Sequence, residues 1–150
     1  MRIFLGNTKY ELIESTFNQP RKLRTEGRCQ NMDKESAEPS ELVVIWSSGD
    51  REAAMKMVFM YTLNSKLKGW WKEVNLVVWG PSSKLICVDT ELQAYLPKMK
   101  EIGVKLMACK RCSDMYGVSD DLEALGIEVK YMGEPLTQFL KNNSCRVITF

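Results

Sequence analysis

"GVKLMACKRCSDMYGV", residues 103–118, decides how the rest of the chain is read. Gly103 ends a helical pattern, and the apolar run "VKLMA" (104–108) follows at once with the composition of a short strand. The run delivers the chain directly into a Cys-x-x-Cys pair, Cys109 and Cys112, with Lys110 and Arg111 between them. A helix, a strand and then a thiol pair at the strand's end is the grammar of an α/β protein. The same alternation extends in both directions.

Upstream, "LVVIW" (42–46) and "VNLVVW" (74–79) are short continuous runs rich in β-branched residues, the signature of strands buried on both faces. Between them, Ala54, Met57, Val58, Tyr61 and Leu67 recur at helical spacing over residues 51–68, and Gly69 is a helix stop. Met55, Phe59, Met60 and Leu63 widen that apolar stripe beyond one face, so the helix is expected to meet another subunit on its outer side. "GPSSKLICV" (80–88) turns into a short helix. Thr90 and Gln93 then form a capping box for a helix displaying Leu92, Leu96, Met99 and Ile102, which Pro97 should kink. Downstream, Ser119 is placed to cap "DDLEAL" (120–125), Gly126 to stop it, and "IEVKYM" (127–132) alternates as a more exposed strand would. A helix over 134–141 with Leu136, Phe139 and Leu140 precedes a last strand, "CRVITF" (145–150). Strands separated by helices imply βαβ crossovers. The fold class is therefore α/β: a doubly wound, mainly parallel five-stranded sheet with helices on both faces.

That pattern occupies residues 41–150, one domain able to bury a core without staples. Residues 1–40 lack periodicity and read as an N-terminal extension, with Met32 an alternative start. The extension also carries the slight basicity, six basic residues against three acidic ones over 1–31. A net charge of +2 gives no pull on nucleic acid. No apolar run approaches a membrane span, and "MRIFLGNTKY" is too weakly apolar for a secretory signal. Five cysteines at irregular spacing do not form a secreted disulfide framework, so the expected setting is the cytoplasm with reduced thiols. The chain has no histidine, which removes Cys-His and Ser-His nucleophile pairs and every His-containing zinc site.

In open α/β sheets, ligands bind beyond the carboxyl ends of the strands. The loops expected there are "SSGD" (47–50), "WGPS" (79–82), "CKRC" (109–112) and "GEP" (133–135). They supply the ligand-edge candidates Ser48, Gly49, Asp50, Trp79, Gly80, Ser82, Lys110 and Arg111. Asp50 is first an N-cap, and "SSGD" has neither a Walker lysine nor a G-x-G-x-x-G. The Cys pair carries the chemistry. As a zinc half-site it lacks two ligands, and no metal or other cofactor is expected. As a redox couple it wants a helix starting at Cys109, where the helical signal is weak. As a nucleophile, Cys109 sits at a strand end with Lys110 and Arg111 able to favour its thiolate, and Cys112 is then a resolving thiol. Plain core packing is the fourth reading. Cys87 and Cys145 read as core residues, and Cys29 falls in the extension.

The order "SSGD", long helix, "VNLVVWG", "KEIGVKLMACKRC", "YGV", "GIEVKYMG" and "VITF" resembles the DsrE/DsrF-like family, which includes TusD-like sulfur-relay proteins. The resemblance covers about residues 41–150 and is most specific around the strand-end cysteine. It implies a compact α/β domain that assembles into trimers or hexamers. It also implies that Cys109 accepts sulfur as a persulfide from a donor protein and passes it to an acceptor, a sulfurtransferase-type role. Cys112 is not the relay residue of the TusD-like pattern. The alternatives from the residues alone are an oligomeric module that binds a small ligand or partner segment, and a thiol–disulfide switch using the pair.

Overall fold

The computed structural model describes residues 38–150. Met32, Cys29 and all of the expected extension except residues 38–40 lie outside the described residues. Twelve elements follow in order: β1 (Glu41–Trp46), α1 (51–67), β2 (Glu73–Val78), α2 (Ser82–Val88), α3 (Thr90–Gln93), α4 (Leu96–Glu101), β3 (Lys105–Cys109), α5 (Lys110–Tyr116), α6 (Ser119–Ala124), β4 (Glu128–Lys130), α7 (Gly133–Lys141) and β5 (Cys145–Thr149).

The strands form one sheet in the order β4-β3-β2-β1-β5, with every neighbouring pair parallel. Three successive steps, β1 to β2 to β3 to β4, move the same way across the sheet. Right-handed crossovers therefore stack the first six helices on one face. On that face Leu42, Val44, Trp46, Leu76, Val78, Leu106 and Ala108 pack against Phe59, Ile86, Leu92, Met99 and Leu122. Trp46 meets Phe59 edge-on at 5.1 Å between ring centroids, and Phe59 meets Tyr95 at 5.7 Å. The return from β4 to β5 runs the other way and puts α7 on the opposite face. There Leu136 and Phe139 lie over a smaller cluster of Val43, Ile45, Val77, Met107, Cys109, Met132 and Cys145.

Several local expectations are corrected. The helix over 51–67 is not uniform: Ala54–Phe59 is π-helical between α-helical ends. The capping box at Thr90 does not form. Asp89 is the N-cap, accepting from the Glu91 and Leu92 amides, and Gln93 donates to the carbonyls of Ile86 and Cys87 instead. That helix does not kink at Pro97 but breaks before it, leaving proline in the first turn of α4, where its missing N–H costs no bond. Ser119 is the first residue of α6, not its cap, because its hydroxyl is drawn to Asp114 at 2.6 Å. β4 shortens to three residues. A helix does begin immediately after Cys109. Among the described residues, no helix is long and apolar enough to cross a membrane.

Leu76 lies fully buried in β2, with β1 and β3 on either side. Leu76→Ala is expected to lower unfolding free energy by about 2–5 kcal/mol, read from the urea midpoint at unchanged slope.

Candidate functional site

Alternation along β3 sends Leu106 and Ala108 to the six-helix face and Met107 and Cys109 to the α7 face. Cys109 is both the last residue of β3 and the extended N-cap of α5. One turn of α5 then brings Cys112 back over it, into the same cluster and close enough for the two thiols to interact. Met107, Met132 and Trp79 close around the pair. Cys109 is 5% exposed, whereas Cys112 is half-buried, so the second thiol is the more open of the two.

Electrostatics at Cys112 do not favour a standing thiolate. Burial pushes the Cys112 thiol above its ordinary value, and the neighbouring Cys109 pushes it the same way. The Gly80 N–H and the Arg111 charge pull it back. Lys110 is not directed at Cys109. Its ammonium bonds Asp114 at 3.0 Å, one turn further along α5, and that bond raises the lysine while the Ser119 hydroxyl and Lys110 lower the carboxyl. Of the two cations expected to favour a thiolate, Arg111 acts on Cys112.

Gly80 reaches the site because the loop after β2 is stapled. The fully buried Ser82 hydroxyl donates to the Trp46 carbonyl at 2.5 Å and accepts from the Trp79 N–H at 3.1 Å. Gly80 can then hold φ 73°, the left-handed conformation glycine tolerates. Ser82 is thus committed to the scaffold. The first loop is committed to α1: the Ser48 hydroxyl accepts from the Asp50 amide, and the Asp50 carboxylate caps the helix through the Ala53 amide at 2.8 Å. Gly49 abuts Pro81, where a Cβ would sit 3.3 Å from the proline ring. The structure therefore gathers Trp79, Gly80 and Arg111 around the cysteines, and leaves Ser48, Gly49, Asp50, Ser82 and Lys110 in capping, stapling or ion-pair roles.

Met132, Leu136 and Phe139 were not among the site candidates read from the sequence, yet they belong to the thiol cluster. Their signal is the pairing of β3 with β4, which sets Cys109 beside Lys130, and no periodicity encodes that adjacency. Burial lifts Cys145 to about 11 and raises Cys87 as well. Among the described residues, no group of three or more His, Cys, Asp or Glu side chains is placed to hold a metal. A separate open depression of about 380 Å³ lies between α1 and the end of β5, lined by Met57, Met60, Tyr61, Trp70 and Phe150 among others.

A conserved protein of unknown function from Bacteroides thetaiotaomicron has a solved structure that matches at a TM-score of 0.71 and 37% identity, over 79% of this chain and 100% of that one. The chain belongs to that protein's family. Family membership establishes the shared fold and assigns no reaction. No protein-family model matches the sequence, and no curated protein does.

Two outcomes follow. With iodoacetamide on the native protein, Cys112 is expected to react faster than the buried Cys109 and Cys145, and its rate should still be climbing above the pH at which an ordinary thiol is half ionised, because its folded value is raised. Peptide mass spectrometry over a pH series reads both. Ser82→Ala should cost about 1 kcal/mol, since the Trp46 carbonyl and Trp79 amide lose the hydroxyl but keep their bond to each other, and should change the Cys112 alkylation rate through Gly80.

Proposed function

We propose that this chain is a sulfur-relay protein of the DsrE/DsrF-like kind, carrying persulfide sulfur at the Cys109–Cys112 pair. The observation that supports the reading is the pair itself: two free thiols packed into one cluster at the carboxyl end of β3. The connection after β3 leaves over the six-helix face and that after β4 over the α7 face, and parallel α/β sheets receive ligands at such divergences.

The transfer needs no cofactor. Cys109 sulfur attacks the terminal sulfur of a donor's persulfide; the donor's S–S bond breaks, a new S–S bond forms on Cys109, and the Cys109 proton ends on the departing donor thiol. An acceptor thiolate then takes the terminal sulfur and Cys109 returns as a thiolate, with no net oxidation. Cys112, in contact with Cys109, is the neighbour able to share or return that proton.

The direct contact between the thiols also favours a second reading, a thiol–disulfide switch in which Cys109 and Cys112 are oxidised to a disulfide by a cellular disulfide. In both readings the assembly is a homo-oligomer in the cytoplasm.

Trypsin cuts after Lys110 and Arg111, which places the two cysteines on separate peptides. After incubation with a cysteine desulfurase and cysteine, the peptide ending at Lys110 should gain the mass of one sulfur atom. Cys109→Ser should abolish the gain, and Cys112→Ser should keep it but alter its discharge to a thiol acceptor. A desulfurase of demonstrated activity that leaves both peptides unmodified rules the relay out. A disulfide-linked pair at glutathione potentials without sulfur loading would establish the switch.

A further inference from the structure

The two edges of the sheet are built differently. β4 is three residues long and charged, with Lys130 and Glu128 ion-paired at 2.9 Å, the usual protection against edge pairing. β5 has five residues and no such guard. Its one charged side chain, Arg146, is folded back onto the carbonyls of Asn143 and Cys145 at 2.9 and 2.8 Å.

The ladder with β1 fixes which backbone groups of β5 face outward. The Phe150 N–H donates to Ile45 at 2.9 Å, and the Phe150 carbonyl accepts from Ser47 at 2.8 Å. Alternation then turns Arg146, Ile148 and Phe150 toward β1, and points the N–H and C=O groups of Val147 and Thr149 away from the sheet. No described residue pairs with those four groups. They are disposed symmetrically about Ile148.

We propose that this edge is an interface with a second copy of the chain, β5 pairing antiparallel with β5 about a two-fold axis at Ile148. Val147 of each copy then exchanges both backbone bonds with Thr149 of the other, four in all, and Ile148 faces Ile148 as a non-hydrogen-bonded pair with Cα atoms about 4.5 Å apart. The same register sets Arg146 opposite Phe150. A self-matched seam of this kind is what an isologous contact requires. A foreign strand would satisfy only the backbone.

Side-chain burial points to the same occupant. Ile148 is 37% exposed, and Phe150 lines the apolar depression beside α1 in which Met57 and Met60 are half exposed and Trp70 is 59% exposed. An axis perpendicular to the sheet keeps both copies of α1 on one face, so the two depressions adjoin along the seam. That apolar surface extends the contact beyond the backbone ladder. It is also the outer side of the helix whose wide apolar stripe the sequence marks for a subunit contact.

The test is disulfide trapping in the full chain. Ile148→Cys should crosslink into dimers under mild oxidant at micromolar protein, since Cα atoms at the axis fall within disulfide reach, while wild type and Glu128→Cys on the opposite edge should not. By analytical ultracentrifugation, wild type should sediment as an assembly of even subunit number. Ile148→Lys, which opposes two ammonium groups at the axis, should weaken association by roughly a hundredfold or more with the circular dichroism spectrum unchanged. A folded wild-type monomer or trimer overturns the proposal. So does an Ile148→Cys protein that is folded yet forms no more crosslink than Glu128→Cys.

Discussion

Right-handed crossover is the constraint from which the rest of the molecule follows. Three steps in one direction load one face of the sheet with six helices, and the single return step leaves α7 to cover the other. The loaded face carries the large aromatic core around Trp46 and Phe59. The thinly covered face is packed in good part by sulfur: Met107, Met132, Cys109, Cys112 and Cys145 share it. Polarisable, unbranched side chains fill the irregular space between one short helix and a twisted sheet well.

That packing shapes the chemistry of the thiol pair. A thiol held above its ordinary pKa is protonated for most of the time at neutral pH, and this protects it from chance oxidation. Once deprotonated it is also the stronger nucleophile. Such a thiol stays quiet until a partner brings a base or a positive charge together with the electrophile. The scaffold contributes by holding things still: Ser82 fixes the loop that presents the Gly80 N–H, and Asp114 takes Lys110 out of the site.

Much of this was legible from residues alone, and the failures have physical causes. Continuous β-branched runs located β1 and β2, because strands buried on both faces have no polar side to interrupt them. Gly69 and Gly126 marked helix ends because both hold positive φ, at 67° and 72°. The cap at Thr90 misled because the Asp89 carboxylate takes the amides first, and the cap at Ser119 because its hydroxyl donates to Asp114 instead. The helix after Cys109 was missed since "KRCSDMY" has little apolar periodicity: α5 buries only Ser113 fully. Strand order was the deepest gap. Cys109 could be placed at a strand end from the sequence, but its neighbours from the β2 loop, β4 and α7 depend on which strands lie side by side, and local pattern does not carry that.

The pairing of β1 with β5 also has a kinetic side. Glu41 lies against Cys145, so the register that completes the sheet joins residues more than a hundred positions apart. On a ribosome, β1 through β4 and their helices can assemble while β1 still has one bare flank, and that flank belongs to the apolar run "LVVIW". Until β5 is synthesised and zips in, the nascent domain displays at β1 an open edge more apolar than either edge of the finished sheet. Holding that intermediate apart from its neighbours on a polysome is a task for chaperones, and the order of the strands is what creates it.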